Sequence, residues 1–123
     1  MVLLSGIAAF GAVGALARYW LGRYVAEKTG AHFPWGTFLI NVSGAFLLGL
    51  LNGLPAGHPL SGAWKTALGG GFCGAFTTFS TWSVETVRLA EKGRRQMAWA
   101  NLVLSVVAGL LAAGAGLALG ERL

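Results

Sequence analysis

The sequence predicts an all-α membrane protein of four transmembrane helices, with a break in the third. Three observations carry this. The 123 residues are 55% hydrophobic and only 11% charged, where a soluble domain carries about a quarter charged residues. Four apolar stretches, at about residues 2–24, 34–54, 62–89 and 97–119, each come near the roughly 20 residues that a helix needs to cross the hydrocarbon core. The third stretch holds Gly69, Gly70, Gly71 and Gly74, then Thr77, Thr78, Ser80, Thr81 and Ser83, and closes on Glu85. Lipid cannot hydrogen-bond freed backbone, so a polar, glycine-rich run at membrane depth implies chain buried in protein or lining a cavity.

The stretches follow one another with short links, and residues 1–123 read as a single four-helix transmembrane domain. The first begins without a basic flank and is expected to be a retained span rather than a cleaved signal. The second opens at Pro34, where a missing N–H costs a helix nothing. The links carry Glu27-Lys28-Thr29-Gly30, then residues 55–59, then Glu91-Lys92-Gly93-Arg94-Arg95. Four spans put both termini on one side. The opposite side then holds Arg23, Lys28, Arg88, Lys92, Arg94 and Arg95, with Arg18 just inside a helix, against Lys65 and Arg122 on the terminal side. Positive charge at the ends of apolar runs orients a membrane protein, and places the basic links in the cytoplasm. The net charge of +5 therefore reflects membrane anchoring rather than nucleic-acid binding. The single Cys73 forms no internal disulfide and reads as a small buried residue.

Gly49 and Gly53, Gly70 and Gly74, and Gly116 and Gly120 share the small-xxx-small spacing that lets helices approach closely in lipid. Four spans enclose a pathway poorly, so an oligomer is expected. In the second span Asn41 stands among apolar residues with Thr37 four residues before it, on one helical face. A mid-membrane amide needs a partner and by default marks a site. In the fourth span Asn101 and Ser105 repeat that spacing. In the third, the glycine run is expected to interrupt the helix and release carbonyls. Gly74 and Thr77 then offer backbone oxygens to a hard cation such as Na⁺, and Thr78, Ser80 and Thr81 add hydroxyls. Phe79 and Trp82 share a face and present positive ring edges suited to an anion. Arg18 concentrates anions at a mouth, and Glu85 takes a positioning role beside a basic residue. No enzyme emerges: His32 and His58 lie in links without metal-ligand spacing, and no nucleophile–base set shares a site.

At these residues the chain resembles the CrcB/Fluc family of small fluoride channels. The likeness covers essentially the whole chain. It includes Gly11-Ala12-Val13-Gly14-Ala15-Leu16-Ala17-Arg18-Tyr19, Gly36-Thr37-Phe38-Leu39-Ile40-Asn41-Val42-Ser43-Gly44, and above all Gly71-Phe72-Cys73-Gly74-Ala75-Phe76-Thr77-Thr78-Phe79-Ser80-Thr81. The resemblance implies an antiparallel, dual-topology dimer in the cell membrane, with two fluoride pathways and a structural Na⁺ at the two-fold axis. Gly74 and Thr77 resemble the carbonyl donors to that Na⁺. Asn41 and Phe79 resemble pore-lining groups, and Asn101 and Ser105 members of the polar track; Trp82, Thr78, Ser80 and Thr81 are assigned to the pathway beside them from their own chemistry. Arg18 and Glu85 match positions usually basic and acidic. Two departures stand out. Trp82 replaces a usual second Phe and adds an N–H donor, and Gly109 and Ala113 end the polar track early.

The function so implied is passive, electrodiffusive export of fluoride that has entered as HF. A homodimer is expected, and the Lys/Arg bias keeps a heterodimer with an oppositely oriented homologue as the alternative. The competing function is a small dimeric multidrug or cation exporter, which wants an intramembrane carboxylate and finds only Glu85. A non-conducting assembly subunit would leave the third span unexplained.

Overall fold

The computed structural model describes residues 1–30 and 33–123, and His32 lies outside the described residues. Among these, all regular structure is helical: α1 (Val2–Thr29), α2 (Trp35–Gly53), α3 (Ala63–Thr66), a π-helical segment (Ala67–Cys73), α4 (Gly74–Phe76), α5 (Phe79–Glu91) and α6 (Arg95–Glu121). Three of them, α1, α2 and α6, are long and apolar enough to cross a membrane. α1 and α6 outrun their apolar stretches because their backbone bonds continue through polar end turns. In α1, Lys28 and Thr29 remain helical, and the Thr29 hydroxyl donates to the Val25 carbonyl at 2.7 Å. Pro34 caps α2, its carbonyl accepting from the Phe38 N–H at 3.0 Å.

The third apolar stretch is built in pieces. From Ala63 to Phe76 the helical path is continuous, since Thr66, Ala67, Cys73 and Gly74 all keep right-handed helical dihedrals. The expectation that the glycine run itself interrupts the helix is therefore corrected. Gly69, Gly70 and Gly71 lie inside the π-helical segment, a wider winding that small residues tolerate and that recurs at functional positions. What glycine provides here is proximity. A Cβ on Gly71 would stand 2.6 Å from the Ile7 carbonyl, and one on Gly14 would overlap the Phe72 carbonyl, so α1 crosses the π segment backbone to backbone. The chain departs from helix later, at Thr77 (φ −78°, ψ 156°) and Thr78 (φ −145°, ψ 122°), before α5 begins.

The main packing runs between α2 and α6, and two glycine pairs make it possible. A Cβ on Gly49 or Gly53 would strike the Ala113 or Leu117 carbonyl, and one on Gly116 or Gly120 would strike the Phe46 or Leu50 carbonyl. Small faces interlocking in this way supply the van der Waals contact that holds helices together in lipid. The third pair differs: Gly70 and Gly74 are exposed and meet almost nothing in this chain.

Gly116→Val is expected to lower stability in detergent by about 1–3 kcal/mol, the usual cost of overpacking. Gly114→Ala, where a Cβ meets open space, is expected to be neutral. Equal melting temperatures for the two variants would contradict the α2–α6 interlock.

Candidate functional site

The extended pair Thr77–Thr78 creates the site, and one side chain from α2 fixes it. The Asn41 Nδ2 donates to the Thr78 carbonyl at 2.9 Å, and the Thr78 N–H donates to Asn41 Oδ1 at 2.8 Å. An amide is the side chain that can serve a backbone N–H and C=O at once, and it does so 37 positions away in sequence. In a continuous helix the Thr78 N–H would go to the Gly74 carbonyl; here it is diverted to Asn41. The carbonyls from Gly74 to Thr77 thus belong to a helix end, where intrahelical partners run out. Thr77 remains tied to its own helix, its N–H and its hydroxyl both donating to the Cys73 carbonyl at 3.0 and 2.9 Å.

Thr78 also starts α5. Its hydroxyl accepts the Thr81 N–H at 3.2 Å, an N-cap that leaves the other first-turn N–H groups pointing outward. That helix end is electropositive by the alignment of its peptide dipoles. The Ser80 hydroxyl lies 3.5 Å from the Thr78 hydroxyl, while Phe79 stands exposed, with Trp82 tilted against it at 5.4 Å between centroids.

Thr78 separates two cavities. One, of about 570 Å³, lies between α1, α2 and α5 and is lined in part by Arg18, Thr37, Thr78, Thr81, Glu85 and Arg88. The other, of about 380 Å³, is lined in part by Asn41, Gly44, Gly74, Thr77, Phe79 and Trp82 and adjoins the exposed Gly70–Gly74 face. Arg18 and Glu85, far apart in sequence, thus share one cavity. The pairing of Glu85 with a basic residue that the sequence suggested is not found among the described residues, and its Oε1 is buried without a hydrogen-bond partner.

Asn101 and Ser105 lie on α6 beside α5. Asn101 is fully buried at 0% exposure; its amide donates to the Thr86 hydroxyl at 2.8 Å, and its Oδ1 accepts from the Ser105 hydroxyl at 3.3 Å. The N–H donor that Trp82 adds is already engaged: it donates to the Asn101 carbonyl at 3.2 Å. Thr86 was not among the residues singled out from sequence. The only signal for it was its place four residues after Trp82, whose carbonyl accepts the Thr86 hydroxyl at 2.8 Å.

Asn41→Ala would leave the Thr78 N–H and C=O without partners, at a cost of about 1–3 kcal/mol for an unsatisfied buried group. Hydrogen exchange at the Thr78 amide is expected to be slow in the parent protein and at least tenfold faster in the variant. Unchanged exchange would show that something other than Asn41 holds the extended pair.

Comparison with known proteins places the chain in a family. The family described as CrcB-like protein, Camphor Resistance (CrcB), matches residues 5–117. A protein of Acidobacterium capsulatum named fluoride-specific ion channel FluC is 47% identical over 95% of this chain and 94% of its own length. Symbiobacterium thermophilum has two such proteins. FluC 1 is 48% identical over 96% of this chain and 95% of itself, and FluC 2 is 45% identical over 97% and 98%. With a match that runs over residues 5–117 and includes Asn41 and Thr78, this chain belongs to the CrcB-like family.

Proposed function

We propose that this multi-pass membrane protein is a fluoride-selective ion channel that lets F⁻ leave the cytoplasm down its electrochemical gradient. The observation that carries the reading is the match to relatives named fluoride-specific ion channels along nearly the whole chain, 47% identical over 95% of it in the Acidobacterium protein. Ion channels are not enzymes, and no catalytic role is assigned to any residue.

The physical task is to replace the water around a small anion. An idealised Born cost of order 20 kcal/mol attends even a carboxylate-sized ion entering a medium of low dielectric. Hydroxyls of Thr78, Ser80 and Thr81, the Asn41 amide, the edges of Phe79 and Trp82, and the N-terminus of α5 are gathered around the two cavities. None is a full positive charge, which suits conduction, because a site that binds too tightly does not release. Arg18 draws anions to the larger cavity, and Glu85 there limits how strongly they are held. Asn101 and Ser105 continue the polar track along α6, with Asn101 polarising Ser105 from within the protein.

The functional unit is an antiparallel dimer. Its support is the exposed face of Gly70, Gly74 and Phe79, which is small, partly apolar and unmatched within one chain. A structural Na⁺ fits there: Gly74 is exposed, the Thr78 N–H is diverted to Asn41, and the freed carbonyls of Gly74 and Thr77 are the hard oxygen ligands such an ion takes. Bound, it would hold the two broken spans together by neutralising their helix ends. The Lys/Arg bias between the two sides bears on pairing, and Symbiobacterium thermophilum carries both a FluC 1 and a FluC 2. The homodimer remains the first reading. Labelling cysteines introduced at each terminus from both membrane faces decides it: labelling from one face alone would make a second, oppositely oriented homologue necessary.

Vesicles containing the purified protein and loaded with fluoride and K⁺ are expected to release fluoride on addition of valinomycin, while chloride-loaded vesicles stay silent. Phe79→Ile is expected to slow release at least tenfold. No release from well-reconstituted protein would reject the channel. For the cation, crystals grown with Tl⁺ are expected to give an anomalous peak between the Gly74 and Thr77 carbonyls of the two protomers, and an empty two-fold axis would remove it.

A further inference from the structure

The helix that carries Phe79 is loosely held by apolar packing. Within the chain α5 packs mainly on α6 and buries only Leu89, and the two residues before it are extended. Phe79 itself is 76% exposed. Polar links therefore set where α5 sits. Asn41 holds its start. Its middle is held by a closed circuit of hydrogen bonds that begins and ends on Trp82.

We propose that Trp82 is a positioning residue: its indole N–H, donated to the Asn101 carbonyl, fastens α5 to α6 and so keeps the Phe79 ring in fixed relation to the Asn101–Ser105 pair on α6. The circuit runs from the Trp82 Nε1 to the Asn101 carbonyl at 3.2 Å, from the Asn101 Nδ2 to the Thr86 hydroxyl at 2.8 Å, and from that hydroxyl to the Trp82 carbonyl at 2.8 Å. Ser105 joins it by donating to Asn101 Oδ1. The circuit closes through the covalent frames of Trp82 and Asn101, and at the Thr86 hydroxyl, which accepts one bond and donates the next, the two bonds polarise one another. The same indole that closes the circuit packs against Phe79 at an interplanar angle of 52°, and both rings line the cavity with Asn41 and Thr77. Movement of α6 against α5 therefore has to carry the Phe79 ring with it.

Losing the indole N–H does not orphan its acceptor. The Asn101 carbonyl lies inside α6 and has its own helical donor four residues on. A variant lacking only that N–H is thus expected to fold, while losing the tie between the two helices. The consequence for conduction rests on the fluoride-channel reading; the tie itself does not.

The test has two arms. In ¹H–¹⁵N spectra of the reconstituted protein, Trp82→Phe identifies the Trp82 indole signal among the five tryptophans. That proton is expected to exchange with water at least tenfold more slowly than the indole proton of free tryptophan in the same buffer. Equally fast exchange would overturn the tie. In the second arm Trp82 is replaced by Phe and, separately, by benzothienylalanine, which keeps the two-ring shape with sulfur in place of N–H. Both variants are expected to slow fluoride efflux at least about threefold, the factor that a typical hydrogen bond within a membrane carries, and to narrow the preference for fluoride over chloride. A benzothienylalanine variant with parental efflux and selectivity would overturn the proposal, whatever the Phe variant does. A parent protein that passes no fluoride would instead reject the channel reading, with indole exchange still deciding the tie.

Discussion

The two hydrogen bonds between the Asn41 amide and the backbone of Thr78 are the constraint on which the rest of the site depends. They let the chain leave helical geometry among apolar spans without abandoning a peptide N–H and C=O to hydrocarbon, where each unsatisfied group costs several kcal/mol. Because Thr78 is held extended, α4 ends on one side where helical donors run out, and α5 starts on the other with first-turn N–H groups, of which the Thr78 hydroxyl takes that of Thr81. One break thus yields both an acceptor end, suited to a cation, and a donor end, suited to an anion. The two cavities meet at the residue that Asn41 holds.

That arrangement requires rigid surroundings, and the glycine pairs provide them. With α2 and α6 locked together at Gly49, Gly53, Gly116 and Gly120, Asn41 and Asn101 stand on one body. Thr78 at the start of α5 is bound to the first, and Trp82 and Thr86 in its middle are bound to the second. A helix with little apolar burial of its own is thereby positioned by two amides on its neighbours. Gly14 and Gly71 do the same for α1 and the π-helical segment.

Much of this was legible in the sequence, for physical reasons that differ by element. Apolar length alone marks α1, α2 and α6, since a bilayer demands it. Asn41, Asn101 and Ser105 stand out because amides and hydroxyls are costly in a span. The place of the break did not follow from local sequence. Glycine suggested residues 69–71, yet glycine at a helix crossing permits close approach as readily as it breaks a helix. Thr77 and Thr78 turn extended because of a side chain 37 positions away. Thr86 was missed because a hydroxyl in a span most often only bonds back to its own helix, and its role appears only once Asn101 is seen beside it. The engagement of the Trp82 N–H is likewise a fact of tertiary structure, invisible in residue type.

The central claim is that this site passes fluoride and rejects the commoner halide. The most direct measurement is the reversal potential of the reconstituted channel in a planar bilayer, with a fluoride gradient imposed at equal chloride. The expected result is a shift of roughly 59 mV per tenfold fluoride gradient, the value for a univalent ion crossing alone, with no shift when only chloride is varied. A reversal potential that stays at zero under the fluoride gradient, or that follows chloride, would contradict it.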